Sequence, residues 1–281
     1  MIGHHLMTSW QDRHEVFVTL REDAPAYAAL RQFQPDRAYF GVDVSRLQDV
    51  VNAIADARPE VVVNAAGIVK QRPSAKETIA SLEVNALYPH RLAQVCRASG
   101  ARLIHLSTDC VFSGRRGRYT EEDAPDPEDL YGRTKLLGEV TEAHCLTLRT
   151  SIIGLELHRK VSLVEWFLAQ RGTVRGFRRA IYTGLTTREI ARAIEHLLVE
   201  HRTLSGVWHL SSEPIAKLDL LATLARKLKR TDVEVVADDS LVCDRSLDSA
   251  ALRRRVAYRV PPWDQMLDEL VEQIRERETA Q

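Results

Sequence analysis

The chain is 281 residues long, balances 39 Lys+Arg against 39 Asp+Glu for a formal charge of +0, and is 44% hydrophobic. That composition excludes an intrinsically disordered chain and argues against a nucleic-acid binder, which carries a basic excess; no apolar run approaches the ~18 residues that a membrane span needs. The length suits one large domain or two intimate ones.

Met1-Ile2-Gly3-His4-His5 lacks the basic region and long apolar stretch of a signal peptide. Cys96, Cys110, Cys145 and Cys243 show no C-x-x-C spacing, so reduced, mostly buried thiols in a cytoplasmic protein are expected. In chain order, a helix is predicted over 4–11 and a strand over 16–20. A helix over 45–57 follows, with Leu47, Val50, Val51 and Ile54 on one face, and then a strand over 61–64. A long helix over 75–99 closes at Gly100, placed as its C′ residue. Strands over 103–107 and 145–149 come next. A helix is predicted over 163–169, with Trp166 and Phe167 as core or pocket wall, and an Arg/Gly-rich loop over 171–180. The remainder reads as a helix over 187–199, a strand over 206–210, and amphipathic helices over 218–228 and 263–277.

The strands are apolar rather than alternating, as in parallel sheets buried on both faces. Their alternation with helices predicts a doubly wound, Rossmann-like α/β sheet. Residues 1–150 are expected to form a dinucleotide-binding domain to which 181–212 return, with 151–180 and 213–281 as a smaller substrate-binding part. Such a fold opens with a strand, a Gly-rich turn and a helix; here the helix comes first, so Gly3 matches the last glycine of the turn. On that reading the sheet is N-terminally truncated, lacking a central strand of roughly five or six residues, and its neighbours expose unpaired edges. The alternative is that Gly3 is an ordinary terminal residue.

Tyr131-Gly132-Arg133-Thr134-Lys135 sets a phenol and an ammonium four apart on one helix face, the ammonium favouring phenolate. Seven tyrosines and seven lysines yield about 0.17 such pairs by chance, so the pair alone is weak. Its setting strengthens it. Ser107-Thr108-Asp109 ends a strand at the carboxyl edge where open α/β sheets bind ligands, although both hydroxyls also suit a turn cap. Asn64-Ala65-Ala66-Gly67 ends another strand in small residues, either admitting a flat ligand or making a tight turn.

These motifs, in this order, resemble the extended short-chain dehydrogenase/reductase superfamily. Ser107-Thr108-Asp109-Cys110-Val111-Phe112-Ser113-Gly114, Tyr119 to Asp123, and Tyr131-Gly132-Arg133-Thr134-Lys135-Leu136-Leu137-Gly138-Glu139 are similar to the dTDP-4-dehydrorhamnose reductase-like family within it. Arg149-Thr150-Ser151 resembles that family's strand end entering the substrate region, and Arg245-Ser246-Leu247-Asp248 a shortened form of its late R-x-x-x-L-D signature.

The resemblance implies NAD(P)H-dependent reduction of the 4-keto group of a nucleotide-linked 6-deoxysugar. Tyr131 would protonate the developing alkoxide, Thr108 orient the ketone, and Lys135 bind the nicotinamide ribose and hold the phenol's pKa down. Asn85 would support a water-mediated proton path, or else be a satisfied polar residue within a helix. Asp43-Val44 would lie along the adenine, Asp43 also serving as an N-cap. Arg21, where an acid would pair the ribose of NAD, suits the 2′-phosphate of NADP, so NADP(H) is preferred and NAD(H) stays open. Gly3 and Asn64, Ala65, Ala66 and Gly67 complete the cofactor contacts. Asp109, Arg149, Arg178 and Arg245 are placed at the substrate. Arg171, Arg175, Arg178 and Arg179 either reach a nucleotide diphosphate or form a solvated basic loop. Lys70-Gln71 lie near the sugar with nothing local demanding contact. No metal site is read from the histidines. A nucleotide-sugar epimerase or dehydratase on the same scaffold, and a non-catalytic nucleotide-binding regulatory relative, are the alternatives; a homodimer remains open.

Overall fold

The computed structural model describes all residues except 29, 31, 70–76, 159, 280 and 281, so Lys70-Gln71 and the start of the helix predicted from residue 75 lie outside the described residues. The chain begins in α1 (Ile2–Trp10), followed by β1 (Val18–Thr19), β2 (Ala38–Tyr39), α2 (Leu47–Ala57) and β3 (Val61–Asn64). A short α3 (Thr78–Ser81) runs through a π-helical turn, Leu82–Leu87, into α4 (Tyr88–Ser99). Then come β4 (Arg102–Leu106), α5 (Leu130–Leu137), β5 (Cys145–Arg149), β6 (Ile152–Ile153), α6 (Leu163–Leu168), β7 (Gly172–Phe177), β8 (Ala180–Tyr182) and β9 (Leu185–Thr186). The chain ends with α7 (Thr187–Glu200), β10 (Gly206–His209), β11 (Ile215–Ala216), α8 (Lys217–Lys227), β12 (Val233–Asp238), β13 (Cys243–Asp244), α9 (Ala250–Val256) and α10 (Trp263–Thr279).

The protein is a mixed α/β structure around a parallel four-stranded sheet in the order β10-β5-β4-β3. Each face is covered by helices, as a βαβ chain requires. The pleat divides the strands between two cores. Ile104, Leu106, Leu146 and Leu148 point to one, with Leu6 and Trp10 of α1, Ile190 and Ile194 of α7, and Leu267, Leu270, Val271 and Ile274 of α10. Leu103 and Cys145 point to the other, with Val50 and Ile54 of α2 and Leu92, Ala93 and Cys96 of α4. Each of these buried aliphatic side chains contributes about 1.5–3 kcal/mol of transfer free energy. β1 and β2 pair in parallel with each other. Among the described residues, β1 and β3 each have a ladder partner on one side only.

Three local departures from the sequence reading have physical causes. The helix before Gly100 is not uniform. Pro89 has no N–H to return to the carbonyl of Asn85, and the chain widens into the π turn instead, with the Tyr88 N–H bonded to Glu83 O. Gly100 itself takes the left-handed conformation (φ 75°), and the Ala101 N–H closes on Cys96 O at 2.8 Å. Residues 172–177 are not a loop: β7 pairs along its whole length with β12. Arg171, Arg175 and Arg178 form ion pairs with Asp232, Asp238 and Asp239, partners that local periodicity does not reveal. Asp43 is not the N-cap of α2, which begins at Leu47; it accepts instead from the N–H (2.9 Å) and hydroxyl (2.8 Å) of Ser45 in the preceding turn. Phe167 is fully buried, whereas Trp166 is 39% exposed. No helix among the described residues is long and apolar enough to cross a membrane.

Candidate active site

The carboxyl ends of β3, β4 and β5 and the start of α5 converge on one cluster. Pro125 and Pro127 keep the approach to α5 non-helical, and Asp129 caps the helix by accepting the Gly132 N–H at 2.8 Å. Tyr131 therefore stands in the first turn, with Lys135 one turn later on the same face. Beyond β4, Thr108 is extended (φ −144°, ψ 154°) and caps the tight turn Asp109–Val111, its hydroxyl accepting the Cys110 N–H (3.2 Å) and donating to Asp109 Oδ1 (3.1 Å). Capping does not remove Thr108 from the site, because its side chain also interacts with the Tyr131 phenol.

The electrostatics differ from expectation in one respect. Burial is the largest influence on Tyr131 and raises its pKa; Cys110, Asp109 and Asp129 push the same way and Thr108 opposes them. The phenol is thus held up, not down. Lys135 is engaged elsewhere: its buried Nζ donates to Leu106 O at 2.6 Å and lies 3.4 Å from His105 Nε2. Burial lowers Lys135 to about 8, with Glu139 opposing. Asp109 is also buried and raised by desolvation, which Arg245 and Lys217 counter.

Asn64 is buried; its Oδ1 accepts the Ala66 N–H (3.1 Å) and its Nδ2 lies 3.1 Å from His105 Nδ1. Ala65 and Ala66 are half-buried beside it, and Gly3 at the start of α1 faces Ala65 closely enough that an added Cβ would lie 3.9 Å from the Ala65 Cβ. Asn85, 1% exposed, clamps Ile68 by accepting its N–H (2.8 Å) and donating to its carbonyl (3.0 Å), and reaches Thr134 Oγ1 at 3.4 Å. It therefore shapes the strand turn at Gly67, where a Cβ would lie 3.4 Å from Asn85 Oδ1. Arg21 is exposed (67%) and 4.0 Å from Asp43. Ser45 is the main cause holding the Asp43 carboxyl below its usual range, and Val44 packs on the α2–α4 core.

Among the residues assigned to substrate, Arg245 comes to the cluster, donating from Nε to Phe112 O (2.8 Å) and from Nη1 to Cys110 Sγ (3.7 Å). Arg149 is turned to protein partners. Its Nε and Nη2 each bond Glu139 at 2.8 Å and its Nη1 faces His209 Nε2 at 3.3 Å, making it an internal counter-ion. Arg178 is exposed on the turn after β7, with Asp239 as its partner rather than a residue of the cluster. His105 and Glu139 emerge only from the structure. The sequence signal for His105 is an ionisable residue flanked on the strand by Leu103, Ile104 and Leu106. A cleft of about 590 Å³ lined in part by Arg116, Arg118, Asp244 and Ser246 adjoins the Arg245 side.

The residues fit a dinucleotide. Residues 65–67 are small and half-buried at the end of β3, Arg21 is an exposed guanidinium, and Lys135 ends among hydrogen-bonding groups at the end of β4.

Comparison with known proteins agrees with this arrangement. The family described as the RmlD substrate binding domain matches residues 1–276. A dTDP-4-dehydrorhamnose reductase of Streptomyces griseus is 43% identical over 99 residues, covering 35% of this chain and 33% of the relative. Methionine adenosyltransferase 2 subunit beta of Rattus norvegicus is 42% identical over 92 residues, covering 32% and 27%. These alignments thus span about a third or less of either relative's length. The solved structure of a hypothetical dTDP-4-dehydrorhamnose reductase from Sulfolobus tokodaii superposes with a TM-score of 0.75 at 25% identity over 92% of both chains. With the family match running through almost every element described above, the chain belongs to the RmlD substrate binding domain family, on a Rossmann-type α/β fold.

Proposed function

We propose that this protein is an NAD(P)H-dependent reductase of the 4-keto group of a nucleotide-linked 6-deoxysugar. The observation that carries the reading is the meeting of Thr108, Tyr131 and Lys135 at the carboxyl edge of β4. When bound, the dihydronicotinamide supplies a hydride to the ketone carbon. Tyr131 gives its proton to the alkoxide oxygen; a phenol raised by burial is a protonated donor throughout the neutral range. Thr108 orients the carbonyl oxygen beside that phenol. Lys135, buried and tied to Leu106, holds the ribose side of the cofactor. Asn64, Ala65, Ala66 and Gly67 make the flat floor, Asn85 keeps it in place through Ile68, and Gly3, Asp43 and Val44 border the nucleotide. Arg21 favours NADP(H), guanidinium matching a 2′-phosphate. Asp109 and Arg245 contact the sugar, with Arg116 and Arg118 beside the nucleotide's phosphates. Residues 1–150 and 181–212 then serve the cofactor, while 151–180 and 213–281 serve the substrate, in a cytoplasmic enzyme.

The test is oxidation of NADPH by the chain in the presence of a dTDP- or UDP-linked 4-keto-6-deoxysugar, followed by loss of dihydronicotinamide absorbance. Stoichiometric consumption with formation of the 4-hydroxy sugar is expected. An epimerase or dehydratase returns its hydride and shows no net consumption. Binding of NADPH without turnover on any such sugar favours the regulatory reading, which the similarity to an adenosyltransferase subunit keeps as the second choice.

A further inference from the structure

In the main sheet Asn64, His105 and Thr147 stand in register on neighbouring strands, a polar row two positions along from, and on the same face as, the apolar row Val62, Leu103 and Cys145. All three polar residues are buried, with His105 and Thr147 at 0% exposure. Thr147 is satisfied by Val140, donating to its carbonyl at 2.7 Å and accepting its N–H at 3.2 Å. The other two lead to Lys135.

The proton on His105 is fixed by its neighbours. Asn64 Oδ1 accepts the Ala66 N–H, so the amide nitrogen is the atom turned to His105 Nδ1. An amide nitrogen only donates, so Nδ1 is an acceptor. Burial, together with Lys135 and His90, keeps His105 well below the ordinary imidazole range, so the ring is neutral and its one proton is on Nε2. Nε2–H faces Lys135 Nζ at 3.4 Å. An ammonium there sets donor against donor, whereas an uncharged amine offers its lone pair and can still donate to Leu106 O.

We propose that His105 is a positioning residue for Lys135: locked as the Nε2–H tautomer by Asn64, it aims the lysine amine and favours its uncharged form in the resting protein. The other ionisable groups around the pair are Tyr131, one turn before Lys135 on α5, Glu139 just past the end of that helix, His90 on α4, and Arg149 on β5. Glu139, the one group that opposes the effect on Lys135, already has Arg149 as its counter-ion. The consequence for catalysis rests on the reductase reading of Lys135; the tautomer and the proton occupancy do not.

The experiment uses the full chain without ligand, labelled with 15N-histidine and 13C-lysine. Two-bond 15N correlations report the His105 tautomer, and the Lys135 Cε resonance, assigned from its loss in Lys135→Arg, reports its titration. The Nε2–H tautomer is expected through the neutral range, with Lys135 titrating near 8. In Asn64→Asp the introduced carboxylate draws the ring proton to Nδ1, Nε2 becomes an acceptor for the ammonium, and the Lys135 midpoint rises by about one pH unit or more. His105→Gln, able to turn its amide oxygen to the ammonium, raises it similarly. An Nδ1–H tautomer in the unsubstituted protein, or an unmoved Lys135 midpoint in whichever variant folds, overturns the proposal. The tautomer alone decides if neither variant folds. Failure to oxidise NADPH would sink the reductase reading and leave these spectra unchanged.

Discussion

Arg149 grips Glu139 through two hydrogen bonds of 2.8 Å, Nε to Oε1 and Nη2 to Oε2, and both side chains are only 7% exposed. Ser107 adds a third bond, donating to Glu139 Oε1 at 2.7 Å. The carboxylate just past the end of α5 is thereby tied to the ends of β4 and β5, the two strands that present the site. Removing either partner strands a buried charge. Glu139→Gln and Arg149→Met are each expected to cost about 3–5 kcal/mol in urea unfolding. The double variant should lose clearly less than the sum; additive losses would show that the pair is not coupled.

The pH dependence of stability follows from Lys135, lowered by burial from 10.5 to about 8. Between those values the unfolded chain binds the proton that the folded chain has released, so stability rises with pH. The contribution is fully present above the unfolded value and is lost as pH falls through 8. Comparison with Lys135→Met should show the unsubstituted protein gaining up to about 3 kcal/mol across this window relative to the variant. Parallel profiles in denaturant titrations would contradict it. Above pH 10 the raised Tyr131 works in the opposite sense, since only the unfolded phenol then ionises.

Gly132 follows the phenol, donates its N–H to the helix cap Asp129, and stands where no side chain fits. A Cβ would run into the carbonyl oxygen of Cys110 and come within 2.9 Å of Pro127 Cβ. Gly132→Ala must push the first turn of α5 away from the turn after β4. A loss of about 1–3 kcal/mol is expected, with a fall in kcat larger than any change in KM because Tyr131 moves with the turn. Gly138→Ala, whose Cβ would meet the carbonyl oxygen of Asn85, should destabilise by a similar amount while displacing the far end of the helix. Thermal melts and steady-state kinetics on both variants check this; wild-type kinetics in Gly132→Ala would contradict it.

Tyr131→Phe keeps ring packing and removes the proposed proton. Turnover should fall about 10²–10⁴-fold with NADPH binding by fluorescence unchanged. Turnover that persists in the variant rejects the phenol as donor.

Arg21 projects into solvent, so its replacement should leave folding intact. In Arg21→Asp the kcat/KM ratio of NADPH to NADH should drop at least about tenfold, a loss of about 1.4 kcal/mol of discrimination. An unchanged ratio would place the 2′-phosphate elsewhere.

Local order along the chain was enough to determine the strand–helix alternation, the Gly100 helix end and the Tyr131–Lys135 face. Each depends on helix pitch, strand apolarity or a backbone conformation confined to a few neighbouring residues. It did not determine where Arg149 points or what lies under Lys135. Arg149 meets His209 from 60 positions away, His105 meets Asn64 from 41 and Lys135 from 30. Nor did it reveal β7, whose ladder partner β12 is remote in sequence. Only the tertiary structure decides such matters. A polar side chain has the same local signature whether it faces ligand, water or another buried charge, and what distinguishes these is which distant strand the sheet register sets beside it.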